Sequence, residues 1–294
     1  MLFLVVTLVF FLLRLIPGDP VDFILGESAN ASARGALVQS FHFDKPVLEQ
    51  YRFYLQQILQ GDWGRSYFSA TPVNQLLWER TLATARLGSV AMLWAIFLSM
   101  PLGIIAAAKK NTWLDRTILI SSLIGISAPS FYLGPVLALI FSVGLDWFPV
   151  SGNELPGSVV LPSLTLGLAM AALLTRFTRA SLLDVLHKDY VRTARAKGLG
   201  NFAVVVKHAF RTALIPVVAI VGLQMGTLLT GTVVTEKVFG WPGLGTLLLD
   251  SITRRDYALV QGCVLVIATI YVLVNLTTDL LQTSVDPRYK LSQF

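Results

Sequence analysis

The chain has 294 residues, 54% hydrophobic and 14% charged, with a mean hydropathy of +0.68; that charge content is about half of ordinary globular usage and excludes a soluble domain. Net charge is +6, from 23 Lys and Arg against 17 Asp and Glu, so topology depends on where the excess sits. A single cysteine, Cys263, excludes an intrachain disulfide and a cysteine-built metal cage and reads as a small buried apolar residue.

Met1 to Leu13 is uncharged up to Arg14, and Pro17, Gly18, Asp19 and Pro20 then form a turn. Neither a basic lead nor a small-x-small cleavage site marks a signal peptide. Residues 1–16 are read as a first crossing that is clipped, thinned or missing upstream residues. Residues 17–86 form an extracytoplasmic loop, in which Val47, Leu48, Tyr51, Tyr54, Leu55, Ile58 and Leu59 recur at helical spacing after Pro46. That spacing predicts an amphipathic helix on the outer interface or on the rest of the protein. Gly61 to Ser66 reads as a turn.

Uncharged runs follow at 87–108, 118–145, 159–175, 213–235 and 258–278, lengths that suit a hydrocarbon core of about 30 Å crossed at about 1.5 Å per residue. Pro129 and Pro135 predict a tilt or kink in the second. With the first segment these give an all-α polytopic membrane protein of six transmembrane helices, its five-helix core occupying 87–294. Segments 109–116, 176–211 and 286–290 together carry +9, whereas 14–86, 146–154 and 236–256 carry −2. Basic residues gather in short cytoplasmic loops, so both termini are cytoplasmic. Trp63, Trp78, Trp113, Trp147 and Trp241 fall outside or near span ends, as interfacial anchors do.

The cytoplasmic loop 176–211 is the most patterned part of the chain. Asp184 and Asp189 precede Tyr190, Val191, Arg192, Thr193, Ala194, Arg195, Ala196 and Lys197, and Gly198 closes the run. Acids early, bases late and glycine last describe a short helix matched to its dipole. Taken as charge alone, the loop is a topology signal or a patch for anionic lipid. Its pattern describes a helix laid across the membrane surface to dock on a cytoplasmic partner, with Ala194 and Gly198 on one face permitting close approach.

The string DYVRTARAKGLG, followed by KHAFRTALIP, resembles the loop motif of permease subunits in ATP-binding-cassette (ABC) importers of the dipeptide, oligopeptide and nickel family, which includes glutathione carriers. LIPGDPV at 15–21, GLQMGTLLTGTVVTEKVFGWPGLG at 222–245, RRDYALVQG at 254–262 and VDPR at 285–288 agree in order, so the resemblance covers about 15–289. It implies the type I ABC importer permease fold in the bacterial cytoplasmic (inner) membrane. It also implies a homologous second permease subunit, two ATPase subunits, an extracytoplasmic substrate-binding protein and membrane lipid as partners, with no nucleic acid.

By the same resemblance, Asp189, Tyr190, Arg192, Thr193, Ala194, Arg195, Lys197 and Gly198 form a coupling helix, its cations facing acidic groups of the ATPase or lipid phosphates. Gly222, Gln224, Gly226, Thr227, Thr230 and Gly231 lie on the translocation path, although the Gly222–Gly226 spacing reads equally as close helix packing. Glu236, Trp241, Pro242 and Gly243 form an outer gate. Three departures stand out: the short first helix, Thr212 where asparagine is common, and Thr277 with Thr278 in place of apolar residues.

The chain contains no Gly-Lys dipeptide, so the phosphate-cradling loop GxxxxGK[ST] is absent. ATP and magnesium are therefore expected on partner subunits, with no catalytic residue, metal ligand or cofactor on this chain. A membrane enzyme would need a catalytic set, but His42, His187 and His208 form no HExxH and no GxSxG occurs. An ion channel or secondary transporter would place ionisable residues inside the crossings, where these runs have none. Dipeptide, oligopeptide, glutathione, nickel chelate and sugar remain open as substrates; 177–198 and 235–245 look closest to dipeptide and glutathione permeases.

Overall fold

A computed structural model describes residues 1–16, 21, 34, 35, 38, 39 and 43–285; the Pro17–Pro20 turn and positions 286–288 of the VDPR string lie outside them. The described chain is built from α1 (Leu2–Leu15), α2 (Val47–Leu59), α3 (Val73–Ala108), α4 (Trp113–Ser127), α5 (Ser130–Ala138), α6 (Val160–Leu186), α7 (Asp189–Ala196), α8 (Phe210–Val238), α9 (Leu244–Thr253) and α10 (Tyr257–Val285). π-helical turns at Leu139–Gly144 and Ala203–Ala209 extend α5 and lead into α8.

Among the described residues, four helical stretches are long and apolar enough to cross a membrane, and five if a bent pair counts as one span. The expected single run 118–145 is that bent pair: α4 and the α5 arm meet at 105°. Ala128 is extended and Pro129 follows it, which fits the steric clash that disfavours helical backbone immediately before proline. Pro135 lies within α5 without ending it. α1, the expected first crossing, has 14 residues, a length of about 21 Å, short of the hydrocarbon core.

Two other boundaries differ from the sequence reading. α3 starts at Val73, well before the uncharged run at 87, and extends 36 residues with Pro101 inside. α6 continues through the residues assigned to the loop, 176–186. In both places the helix continues through charged residues, exposed at Glu79, Arg86, Arg176 and Asp184 and half-buried at Arg80 and Arg179, so an absence of charge marks the apolar stretch and not the helix end.

The chain divides into two compact units, Met1–Thr84 with Pro242–Ile270, and Ala85–Trp241 with Tyr271–Phe294. In the first, the expected amphipathic helix α2 lies against α1: the Phe10 ring stacks on Tyr54, 5.3 Å between centroids, and Thr7 Oγ1 and Tyr51 Oη are 2.6 Å apart. Val73, Leu77, Leu244, Leu259 and Cys263 form a buried cluster, so the lone cysteine is a core residue. The Leu244 N–H, at the open end of α9, donates to Thr84 Oγ1 at 2.8 Å, satisfying a group that a helix start leaves unpaired.

Gly61 and Gly64 take left-handed conformations in the expected turn. Beyond it, Ser66 Oγ donates to Asp256 Oδ2 at 2.6 Å and the Tyr67 N–H donates to the same oxygen at 3.0 Å. Burial pushes the Asp256 carboxyl above its usual range, while hydrogen bonds from Ser66, Leu259, Tyr67 and Phe68 oppose that shift.

In the second unit α6 is the central element, contacted by α4, α5, α7 and α8. Close approach rests on small residues. A Cβ on Gly167 would stand 2.7 Å from Trp94 Cβ, and one on Gly125 would stand 3.0 Å from Ala172 Cβ.

Candidate functional site

α7 has Asp189 in its first turn and Arg195 in its last, the arrangement its dipole favours. Gly198 sits at φ +82°, directly after the C-cap Lys197. Its N–H donates to Arg195 O at 2.9 Å, and the Leu199 N–H donates to Ala194 O at 3.4 Å; together these are the two bonds of a Schellman motif. The expected glycine stop is thus present. A Cβ at Gly198 would meet nothing within 4 Å, so the backbone conformation, not crowding within the chain, calls for glycine.

Ala194 departs from the expected outward face. It is 9% exposed and joins Val191, Leu182, Val185, Val204 and Ala209 in a buried cluster. It faces this unit's own core, because Val191 and Ala194, three apart, lie on the apolar side of a short amphipathic helix. The outward side carries Asp189, Tyr190, Arg192, Thr193, Arg195, Ala196 and Lys197, all exposed. Arg192 and Asp189 approach at 3.8 Å in full solvent, a pair that contributes little. Tyr190 Oη donates to Thr212 Oγ1 at 3.1 Å, so the threonine that departs from the family pattern ties α7 to the start of α8. Beside α7 a cavity of about 450 Å³ opens between Ala108, Lys110, Leu186, His187, Arg192 and Arg195.

A buried ion pair joins α6 to α4. Arg179, two turns before the end of α6, donates from Nε to Asp115 Oδ1 at 2.6 Å and from Nη2 to Asp115 Oδ2 at 2.7 Å. The Asp115 side chain is 3% exposed and that of Arg179 19%. The partners stand 64 residues apart, a separation no local pattern reports.

The expected path residues fall on two sides of α8. Gly222 and Gly226 face α10: a Cβ on Gly222 would lie 2.7 Å from Thr278 Oγ1, and one on Gly226 would lie 3.3 Å from Tyr271 Cε2. Gln224, Thr227 and Gly231 instead line a largely apolar cavity of about 330 Å³, together with Ile126, Ser130 and Met170. The Gln224 amide is held there, donating from Nε2 to Met170 O at 3.0 Å. The Thr230 side chain lies outside the described positions.

Of the expected gate residues, Glu236 and Trp241 belong to the second unit and Pro242 and Gly243 to the first. Glu236 and Trp241 are buried. α8 closes as α7 does: Gly240 stands at φ +57°, its N–H donates to Lys237 O at 3.4 Å, and the Trp241 N–H donates to Glu236 O at 2.8 Å. Gly243 is the N-cap of α9. The sequence KVFGW carried this second glycine stop as plainly as the first.

Comparison with known proteins places this geometry. Residues 99–291 match the family described as the binding-protein-dependent transport system inner membrane component. The glutathione transport system permease protein GsiC of Salmonella choleraesuis (strain SC-B67) is 45% identical over 291 residues, covering 98% of this chain and 95% of the relative. GsiC of Escherichia coli (strain K12) matches at the same identity and coverage. Among solved structures, an inward-facing methionine ABC transporter, MetNI, superposes with a TM-score of 0.62 at 20% identity over 72% of this chain and 97% of that one. A structure of an amino acid ABC transporter gives 0.53 at 15% identity over 73% and 94%. At these identities the two structures speak for the fold, which is the type I ABC importer permease fold expected from the sequence.

Proposed function

We propose, from the premise that this chain belongs to the family of binding-protein-dependent transport system inner membrane components, that it is the permease subunit of an ABC importer for glutathione and related peptides. The observation that carries the substrate class is full-length similarity, at 45% identity, to permeases named for glutathione transport. The chain pairs with a homologous permease and rests on two ATPase subunits, where ATP and magnesium are bound. An extracytoplasmic binding protein delivers the substrate.

In this reading α7 is the coupling helix. Its inner face, Val191 and Ala194, is locked into the core, while Tyr190, Arg192, Thr193, Arg195 and Lys197 face outward to meet the ATPase. Gly198 ends the helix so that the outward face stays one short rigid rod of about two turns. Movement of the ATPases is passed through α7 into α6 and α8, and the cavity lined by Gln224, Thr227 and Gly231 opens or closes in response. Glu236, Trp241, Pro242 and Gly243 serve on the outer side, and both termini lie in the cytoplasm.

Uptake of labelled glutathione, a dipeptide and nickel, measured in a strain lacking only this chain, tests the assignment. Selective loss of glutathione or dipeptide uptake is expected. Intact peptide uptake with lost nickel uptake would move the chain to the nickel branch, and intact uptake of all three would overturn the proposal.

A further inference from the structure

The Asp115–Arg179 pair sits where two parts of the second unit need to move together. α6 carries α7 at its end: only His187 and Lys188 separate them, and Leu182 and Val185 of α6 share one buried cluster with Val191 and Ala194 of α7. α4 leads the other way. Its far end and the bend after it contribute Ile126 and Ser130 to the apolar cavity that Gln224 and Thr227 also line.

α4 is fixed to α6 at two places. Near the bend, Gly125 lets the helices approach until a Cβ would stand 3.0 Å from Ala172 Cβ. At the other end, the fork of Arg179 grips both carboxylate oxygens of Asp115. Asp115 is itself held, since Oδ2 accepts the Asn111 N–H at 2.9 Å and Asn111 takes the left-handed conformation that asparagine tolerates. A two-bond, charge-assisted grip fixes direction as well as distance, and a lysine ammonium cannot reproduce it. The Gly125 contact sets how closely α4 and α6 approach, and the fork adds a fixed register of α4 along α6.

We infer that Arg179 and Asp115 are positioning residues forming a strut, which carries the displacement of α7 through α6 to the first arm of the broken span and so to the cavity wall at Ile126 and Ser130. The inference rests on the importer reading. In this reading both act through the helices they join.

The test uses the complete transporter, with its partner subunits, reconstituted in proteoliposomes. Uptake and ATP hydrolysis are measured side by side for wild type, Arg179→Lys, Asp115→Asn and the exchange of both residues. Arg179→Lys and Asp115→Asn are expected to lower uptake per ATP hydrolysed by about ten-fold, within the usual range of coupling between distant sites, with hydrolysis itself largely retained. The exchange, Asp115→Arg with Arg179→Asp, is expected to restore part of that ratio. A purely structural role would lower uptake and hydrolysis in equal proportion with the amount of assembled complex; that outcome, or an unchanged ratio in Arg179→Lys, overturns the strut. Should the exchange fail to assemble, Arg179→Lys decides alone. Absence of ATP-dependent uptake in the wild-type complex would instead sink the importer reading, which keeps the two failures distinct.

Discussion

Gly222 of α8 and Thr278 of α10 are in such close register that a Cβ on the glycine would lie 2.7 Å from Thr278 Oγ1 and 2.9 Å from Thr278 Cβ. The threonine hydroxyl is committed elsewhere, donating to Val274 O at 2.8 Å. The pair is thus a steric lock between two spans, and it explains why a polar residue is accepted at 278: its hydroxyl is satisfied within its own helix.

Gly222→Ala should destabilise the permease by about 1–3 kcal/mol, the usual cost of forcing an extra methyl into a filled contact. Adding Thr278→Ala removes Oγ1 and Cγ2, the two atoms a Cβ at 222 would meet first, and should recover part of the loss, a coupling that independent sites would not show. Thermal unfolding of the solubilised complex across the four-member cycle checks this.

At Gly198 the strain belongs to the backbone. Gly198→Val should cost about 1–3 kcal/mol, because a β-branched residue resists the left-handed conformation, whereas Gly198→Asn should be tolerated. On the proposed role, Val but not Asn lowers uptake per ATP hydrolysed. Equal behaviour of the two variants would show that the left-handed turn is not what the position supplies.

Ala194 and Ala196 are two residues apart and should respond in opposite ways to the same change. Ala194→Leu overfills the cluster around Val191 and Leu182, at about 1–3 kcal/mol, and should reduce the amount of folded chain. Ala196 is exposed, so Ala196→Leu leaves stability unchanged and reports only on the partner surface. Thermal stability of the two variants, set beside recovery of the ATPases on each, separates the inner face from the outer.

Asp256 gathers Ser66 Oγ and the Tyr67 and Leu259 N–H groups. Asp256→Ala leaves these buried donors without an acceptor, and at about 1 kcal/mol each it should cost about 3 kcal/mol. Asp256→Asn keeps one carbonyl oxygen and adds no charge to a site that already disfavours charge, so it should be milder. Proteolysis within 64–72 should quicken in the order wild type, Asn, Ala.

How far these features were legible depends on how local their causes are. The start and stop of α7, the amphipathic spacing of α2 and the proline at the bend of the second span all act within a few residues, and the sequence displays them. The continuation of α3 back to Val73 was hidden, since Glu79, Arg80 and Arg86 suit a solvated helix as well as a loop. The inward turn of Ala194 was ambiguous because a small residue fits a core and a docking face alike. The Asp115–Arg179 fork and the Gly222–Thr278 lock join distant stretches, and nothing nearby in sequence points to the partner.

The most direct measurement is disulfide or photo-crosslinking from Thr193→Cys, on the outward side of α7, to the ATPase subunits in the assembled transporter, with uptake of labelled glutathione followed in the same vesicles. The account predicts crosslinking to an ATPase that depends on the nucleotide state and that blocks ATP-driven uptake when complete. Uptake that continues at the wild-type rate with position 193 fully crosslinked, or that proceeds with no ATPase present, would contradict it.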